Sequence, residues 1–149
     1  MNATMRFSEY AELLYHLSPI SVSNGVEVFT SYVSLANFHR ACIILSTGVM
    51  GGTSTIDAVV HQGTDTSGGS AKHLTTSKAI TQLTGAGSDS NKQVIIEVDT
   101  SELDVAGGFD CIALGYTVGT AASIMAIQIF GLCARYKPTS TAEWDEVVD

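Results

Sequence analysis

Charge is scarce in this chain. Asp, Glu, Lys and Arg make up 15% of its 149 residues, against roughly 25% in an average soluble domain. The formal net charge is −8, from 7 Lys and Arg against 15 Asp and Glu. A nucleic-acid binder needs clustered cations to displace phosphate counterions. Here Arg6, Arg40, Lys72, Lys78, Lys92, Arg135 and Lys137 are scattered, which argues against a DNA or RNA partner. An acidic membrane surface would repel the chain for the same reason.

Cysteine is equally sparse. Cys42, Cys111 and Cys133 each sit in an apolar run, their number is odd, and no CxxC pair exists. Zinc and redox motifs therefore fail, and free, buried thiols in a reducing compartment are expected. No segment reaches the roughly 18 consecutive apolar residues of a membrane-spanning helix. The opening MNATMRFSEY has no apolar stretch of signal-peptide length, so synthesis in the cytoplasm without secretion is the expectation. Asn2-Ala3-Thr4 fits a glycosylation sequon, which without a secretion signal is a chance match.

Catalytic signatures are missing too. There is no GxSxG elbow, no GxxxxGK[ST] loop and no GxGxxG, the motifs that place a nucleophile or cradle a phosphate. His16, His39, His61 and His73 show no HxH or HExxH spacing. His39, at the head of an apolar run, reads as structural. His61 and His73 flank one loop that contains Asp65, the one place where a weak metal site is conceivable. The carboxylates of SDS (88–90) and DTSELD (99–104) do not match a calcium loop. A non-enzymatic protein without a cofactor is expected.

What the chain does have is strands. Hydrophobic residues reach 45%. Segments 26–35, 39–47, 55–62, 93–99, 109–118 and 123–136 read as short strands, and 74–83 as a weaker strand or an edge element, separated by Gly- and Ser-rich turns. Ile56, Ala58 and Val60 alternate with Asp57, Val59 and His61, and Val94, Ile96 and Val98 alternate with Glu97 and Asp99, as half-buried strands do. The run 39–47 is nearly all apolar, as in a central strand covered on both faces. Segment 101–108 reads as one helical turn and a Gly-Gly reversal. The last two strands, joined by GTAA, are expected to form a hairpin. Lys137-Pro138 should end the sheet. The predicted fold is all-β, a single antiparallel β-sandwich of jelly-roll type with seven or eight strands. It is organised as an arm over 1–20, a sandwich over 21–138 and an acidic tail over 139–149.

Both ends carry candidate interaction residues. Residues 7–17 read as a short helix capped by Ser8, with Phe7, Tyr10, Leu14 and Leu17 on one face and Pro19 closing it. A lone helix of that length is marginal in water. It must pack either on its own domain or on a neighbouring subunit. The tail holds the single tryptophan, Trp144, among acids. A tryptophan there either folds back on the sandwich or anchors in a partner's pocket.

The order of these pieces resembles small structural proteins of tailed bacteriophages. The residues that carry the likeness are SYVSLANFHRACIIL, KAITQLTGAGSDSNKQVIIEVDTSELDVAGGFDCIALGYTVGTA and the closing ARY-x-P, within residues 7–138. Such proteins look like capsid decoration, or cement, proteins. The resemblance implies a homo-oligomer (dimer or trimer) on the capsid exterior that binds the major capsid protein and ties neighbouring capsomers together. Two alternatives stand beside it: a tail-tube, tail-terminator or head-tail connector subunit, and a carbohydrate-binding module of a receptor-binding structure. For the latter, Tyr32, Tyr116 and Trp144 are the aromatic residues to test.

Overall fold

The computed structural model describes residues 5–136 and 144–148. Lys137-Pro138 and most of the expected tail lie outside the described residues. Among the described residues, ten strands form two antiparallel sheets. They are β1 (Ala11–Val22), β2 (Val28–Phe29), β3 (Val33–Ser34), β4 (Phe38–Met50), β5 (Thr55–Gly63), β6 (Lys72–His73), β7 (Leu83–Thr84), β8 (Gln93–Asp99), β9 (Cys111–Gly119) and β10 (Ser123–Ala134). One sheet has the order β1-β10-β4-β8. The other has the order β2-β9-β5-β6, with β3 also on β9 and β7 also on β5.

The pairs β2 with β3 and β6 with β7 each lie along one neighbour, so each acts as one interrupted strand. Eight strand positions then pair first with last, second with seventh, third with sixth and fourth with fifth. This is a long hairpin rolled into two stacked sheets, which is the jelly roll.

The core lies between the sheets. Ile43, Leu45, Ile127 and Ile129 from one sheet meet Ile56, Val60, Ile112 and Leu114 from the other, all fully buried. Ile56, Ala58 and Val60 face inward as their alternation predicts, and so do Val94, Ile96 and Val98. Strand β8 keeps its expected bounds. Strand β4 is central in its sheet but alternates between buried and half-buried residues. One of its faces is the core, while Cys42 and Ile44 face outward. In segment 100–107 the expected helical turn is two short 3-10 turns, and Gly108 makes the reversal at φ +83°.

Three local expectations are corrected. The N-terminal helix spans only Phe7–Tyr10. Its N-cap position is Arg6, whose N–H donates to the Glu9 carboxylate at 3.0 Å, and Ser8 lies inside the turn. From Ala11 onward the chain is an edge strand, so the expected boundary at residue 20 falls inside β1. The cause is a register shift between Leu13 and Tyr15. A bulge there puts extra residues between sheet positions and turns a strand's period of two into spacings of three and four. Backbone pairing with β10 satisfies more groups than a short isolated helix could. Pro19 sits at the second shift, between Leu17 and Ile20, where an edge strand tolerates it.

The second correction concerns β9 and β10, which do not form a hairpin. Both are central strands, in different sheets. Each already has two neighbours, so segment 120–122 crosses the sandwich, with Thr120 at φ +67°. Finally, the first expected strand is split in two. The Thr30 backbone and hydroxyl both bond Leu114, at 3.0 Å each, which breaks the ladder between β2 and β3.

Candidate functional site

The outer faces of the two sheets differ. On the four-stranded sheet, Leu13, Phe130 and Cys42 stand opposite one another across β1, β10 and β4. Ala11, Leu13 and Phe130 form a second small buried cluster, with Tyr10, Cys42, Ile44, Leu132 and Trp144 against it. Trp144 lies over Phe130 with ring centres 5.9 Å apart. Phe7 meets Phe130 edge-on at 5.7 Å and Trp144 at 6.1 Å. The Trp144 indole N–H is buried without an acceptor among the described residues. The Tyr10 hydroxyl lies 3.3 Å from Cys133 Sγ, and that hydrogen bond, with burial second, raises the phenol's pKa.

The five predicted interaction residues therefore divide. Phe7, Tyr10 and Trp144 gather on this outer face, whereas Leu14 and Leu17 pack on the inner core. Beyond Trp144 the outward residues of the central rows on β10, β4 and β8 carry no formal charge, while His16 of β1 pairs with Gln128 and Asp145 of the tail lines a groove on the same face. Gln128, Ile44 and Ile95 form one cross-strand row, and Ala126, Ser46 and Gln93 the next. Ile124 lies over Gly48, and Ile95 is 62% exposed. At the far end the strands themselves are charged again, where Glu97 pairs with Cys42 and Arg40 pairs with Asp99 at 3.4 Å.

The six-stranded sheet carries a polar and aromatic cluster outside. On β9 its outward residues are small: Ala113, Gly115 and Thr117. Glu27, Phe29, His61 and His73 stand around them. His61 Nε2 lies 3.2 Å from Glu27 Oε1. The Phe29 ring meets His61 edge-on at 4.8 Å and stacks on Tyr32 at 6.3 Å. His61 and His73 pair across β5 and β6, with ring centres 4.2 Å apart. Burial, and then His73, lower the pKa of His61, while Glu27 opposes the shift. The neutral ring then donates its Nε2–H to the carboxylate.

The loop at 63–73 thus brings both of its histidines together, but Asp65 does not join them. Its carboxylate accepts the N–H groups of Ser67 at 2.7 Å and Gly69 at 3.0 Å, closing the loop on itself. Among the described residues no three His, Cys, Asp or Glu side chains are placed to hold a metal ion. His39 is exposed, not a core residue. The carboxylates of the two acidic segments also serve turns. Asp89 accepts from Thr84 N–H, Asp99 from Ser101 N–H and Asp104 from Gly107 N–H.

None of the three aromatic residues expected for sugar stacking offers an open ring. Tyr116 is in the core, the Tyr32 ring is packed on Gly63 and Gly68, and Trp144 covers Phe130. Phe29, which the sequence did not single out, is exposed, as are Phe7 and Tyr136. No protein-family model matches the chain, and no curated protein does either.

Proposed function

We propose that this jelly roll is a non-enzymatic structural subunit of a phage particle, bound to the outside of the capsid. Its partners are the major capsid protein and further copies of itself. The observation that supports the reading is the strip of outward residues without formal charge on the four-stranded sheet, from Ile124 through Gln128 and Ile44 to Ile95, with Asp145 at its edge. A sheet face poor in charge, with exposed aliphatic side chains, can be covered by another protein while stripping water from few ions. Desolvating ions is the costly part of an interface. The likeness of residues 7–138 to phage decoration proteins points the same way.

The test is the copy number of the chain in purified particles, relative to the major capsid protein. A ratio near one to one, or one per few capsid subunits, supports decoration. A ring-like handful of copies moves the chain to the tail or the connector. Absence from particles overturns the reading.

A further inference from the structure

A sandwich has open edges, and each edge strand offers unpaired N–H and C=O groups to another strand. Most edges of this sandwich are blunted. Strand β1 carries two register shifts and Pro19. The six-stranded sheet is bordered by β2 with β3 and by β6 with β7, each only 2 residues long. Short, bulged and proline-bearing strands are the usual protections against edge-to-edge pairing. Strand β8 has none of them. It ends its sheet, runs 7 residues without Pro or Gly, and keeps an unbroken register with β4. Ile95, near its centre, is exposed.

The ladder decides which backbone groups are unpaired. Thr47 N–H donates to Lys92 O at 2.8 Å, and hydrogen-bonded pairs alternate along an antiparallel ladder. Lys92, Val94, Ile96 and Val98 therefore turn their backbone groups toward β4, and Gln93, Ile95, Glu97 and Asp99 turn theirs outward. Two side-chain bonds agree with this. Lys78 Nζ donates to Glu97 O at 2.8 Å, and Asp99 N–H donates to Glu102 Oε2 at 2.8 Å. Both backbone groups of Gln93 and of Ile95, and the Glu97 N–H, have no partner among the described residues. A groove of about 710 Å³ runs beside them, with residues 77–80 as its other wall.

We propose that β8 pairs with β8 of a second copy of this chain, antiparallel about a two-fold axis at Ile95. The side chains set that register. It places Ile95 opposite Ile95 of the second copy, Gln93 opposite Glu97, and Asn91 opposite Asp99. Each acid then meets an amide that can donate to it, and no two carboxylates face each other. An axis at Glu97 would set two carboxylates against each other. An axis at Ile96 would set Ile95 against Glu97 and call on the Asp99 N–H, which Glu102 already holds. Axes nearer Gln93 pair fewer residues, because β8 begins there. Glu97 O can keep Lys78, since a carbonyl has a second lone pair. On the inner face Val94 meets Ile96 of the second copy, and both residues line the groove. The two four-stranded sheets become one continuous sheet with its outer face free. The pairing gives the self-association in the functional reading a surface and rests on that part of the reading alone.

The experiment uses the full chain in sedimentation velocity over a range of concentrations, with residue-resolved amide hydrogen exchange on the same samples. A dimer is expected, in which the amides of Gln93, Ile95 and Glu97 exchange slowly and become fast on dilution to the monomer. Ile95→Lys sets two ammonium groups against each other across the axis. It should sediment as a monomer with an unchanged circular dichroism spectrum. Ile95→Pro removes one outward N–H and spares the ladder to β4, so it should do the same. If one variant misfolds, the other and the parent's exchange pattern still decide. A monomeric parent overturns the proposal. So does any assembly in which those three amides exchange freely, or which a folded variant leaves intact. Copy number in particles is measured separately, so a monomer in solution would sink this pairing and leave particle binding to its own test.

Discussion

Replacing Trp144 separates a docked tail from a free one. Its indole makes two ring contacts, with Phe130 and Phe7, and it is half-buried. Aromatic pairs contribute about 0.5–1.5 kcal/mol each beyond burial, and complete truncation of a fully buried aromatic costs about 3–5 kcal/mol. Half burial brings the second figure to about 2 kcal/mol. Against this stands the buried indole N–H, which has no acceptor among the described residues, a desolvation cost of about 1–3 kcal/mol that truncation removes. Trp144→Ala should therefore lose about 2 kcal/mol. Trp144→Phe keeps a ring over Phe130 and drops the orphan donor, so it should match or exceed the parent.

Urea unfolding followed by circular dichroism reads both variants. At about 2–4 °C per kcal/mol for a chain of this size, thermal midpoints should separate them as well. Trp144 is also the sole tryptophan, so fluorescence of the unmodified chain reports on this one contact. Blue-shifted emission protected from a soluble quencher is expected. Emission like that of free indole would refute the docking, as would a Trp144→Ala variant within about 0.5 kcal/mol of the parent. Either result would restore the tail's freedom to anchor in a neighbouring subunit.

Two further outcomes follow from the sandwich itself. Ile127→Ala, at a fully buried position of β10, should cost about 2–5 kcal/mol. Ile95→Ala, on the exposed side of β8, should stay within about 0.5 kcal/mol; equal losses in urea unfolding would mean that the register is wrong. His61 should make stability pH-dependent. Its folded pKa is lowered, chiefly by burial and then by His73, from the ordinary value of 6.5. The unfolded chain therefore binds the proton first, and stability should fall as pH drops below about 6.5. His61→Gln should flatten that slope; an unchanged slope between about pH 7.5 and pH 5.5 would count against the burial of a neutral imidazole.

The strands legible in the sequence were those whose side chains meet one buried and one wet face. Strand β8 shows this in Val94, Ile96 and Val98 against Glu97 and Asp99, and β5 in Ile56, Ala58 and Val60. Strand β1 broke the rule because both of its faces are apolar. Ala11 and Leu13 serve the outer cluster, while Leu14, Tyr15 and Leu17 serve the inner one. A bulge between the two sets produces a spacing that imitates a helix. The β9–β10 connection was misjudged for a different reason. A short link between two strands usually means a hairpin, but the rule assumes that each strand needs the other. Here each strand is central, and the crossing between sheets is what closes the roll.

The cluster around Glu27 was harder to see, because its parts come from distant segments. Glu27 and His61 are 34 positions apart, and only the pairing of β2, β9 and β5 brings them together. One signal was nevertheless present. In β9 the inward residues Ile112, Leu114, Tyr116 and Val118 are large, while the outward residues Ala113, Gly115 and Thr117 are small. A central strand gains packing on its outer face from larger residues, so a run of small ones needs a reason. On a purely solvated face, hydroxyl or charged side chains would serve better than glycine, which costs backbone entropy. The reason in this fold is that Phe29, Glu27 and His61 lie down over that strip. Gly115→Ala thus asks whether the close approach matters: it should displace Glu27 or Phe29 without touching the core, and a variant with both unmoved would leave the small-residue strip without a cause.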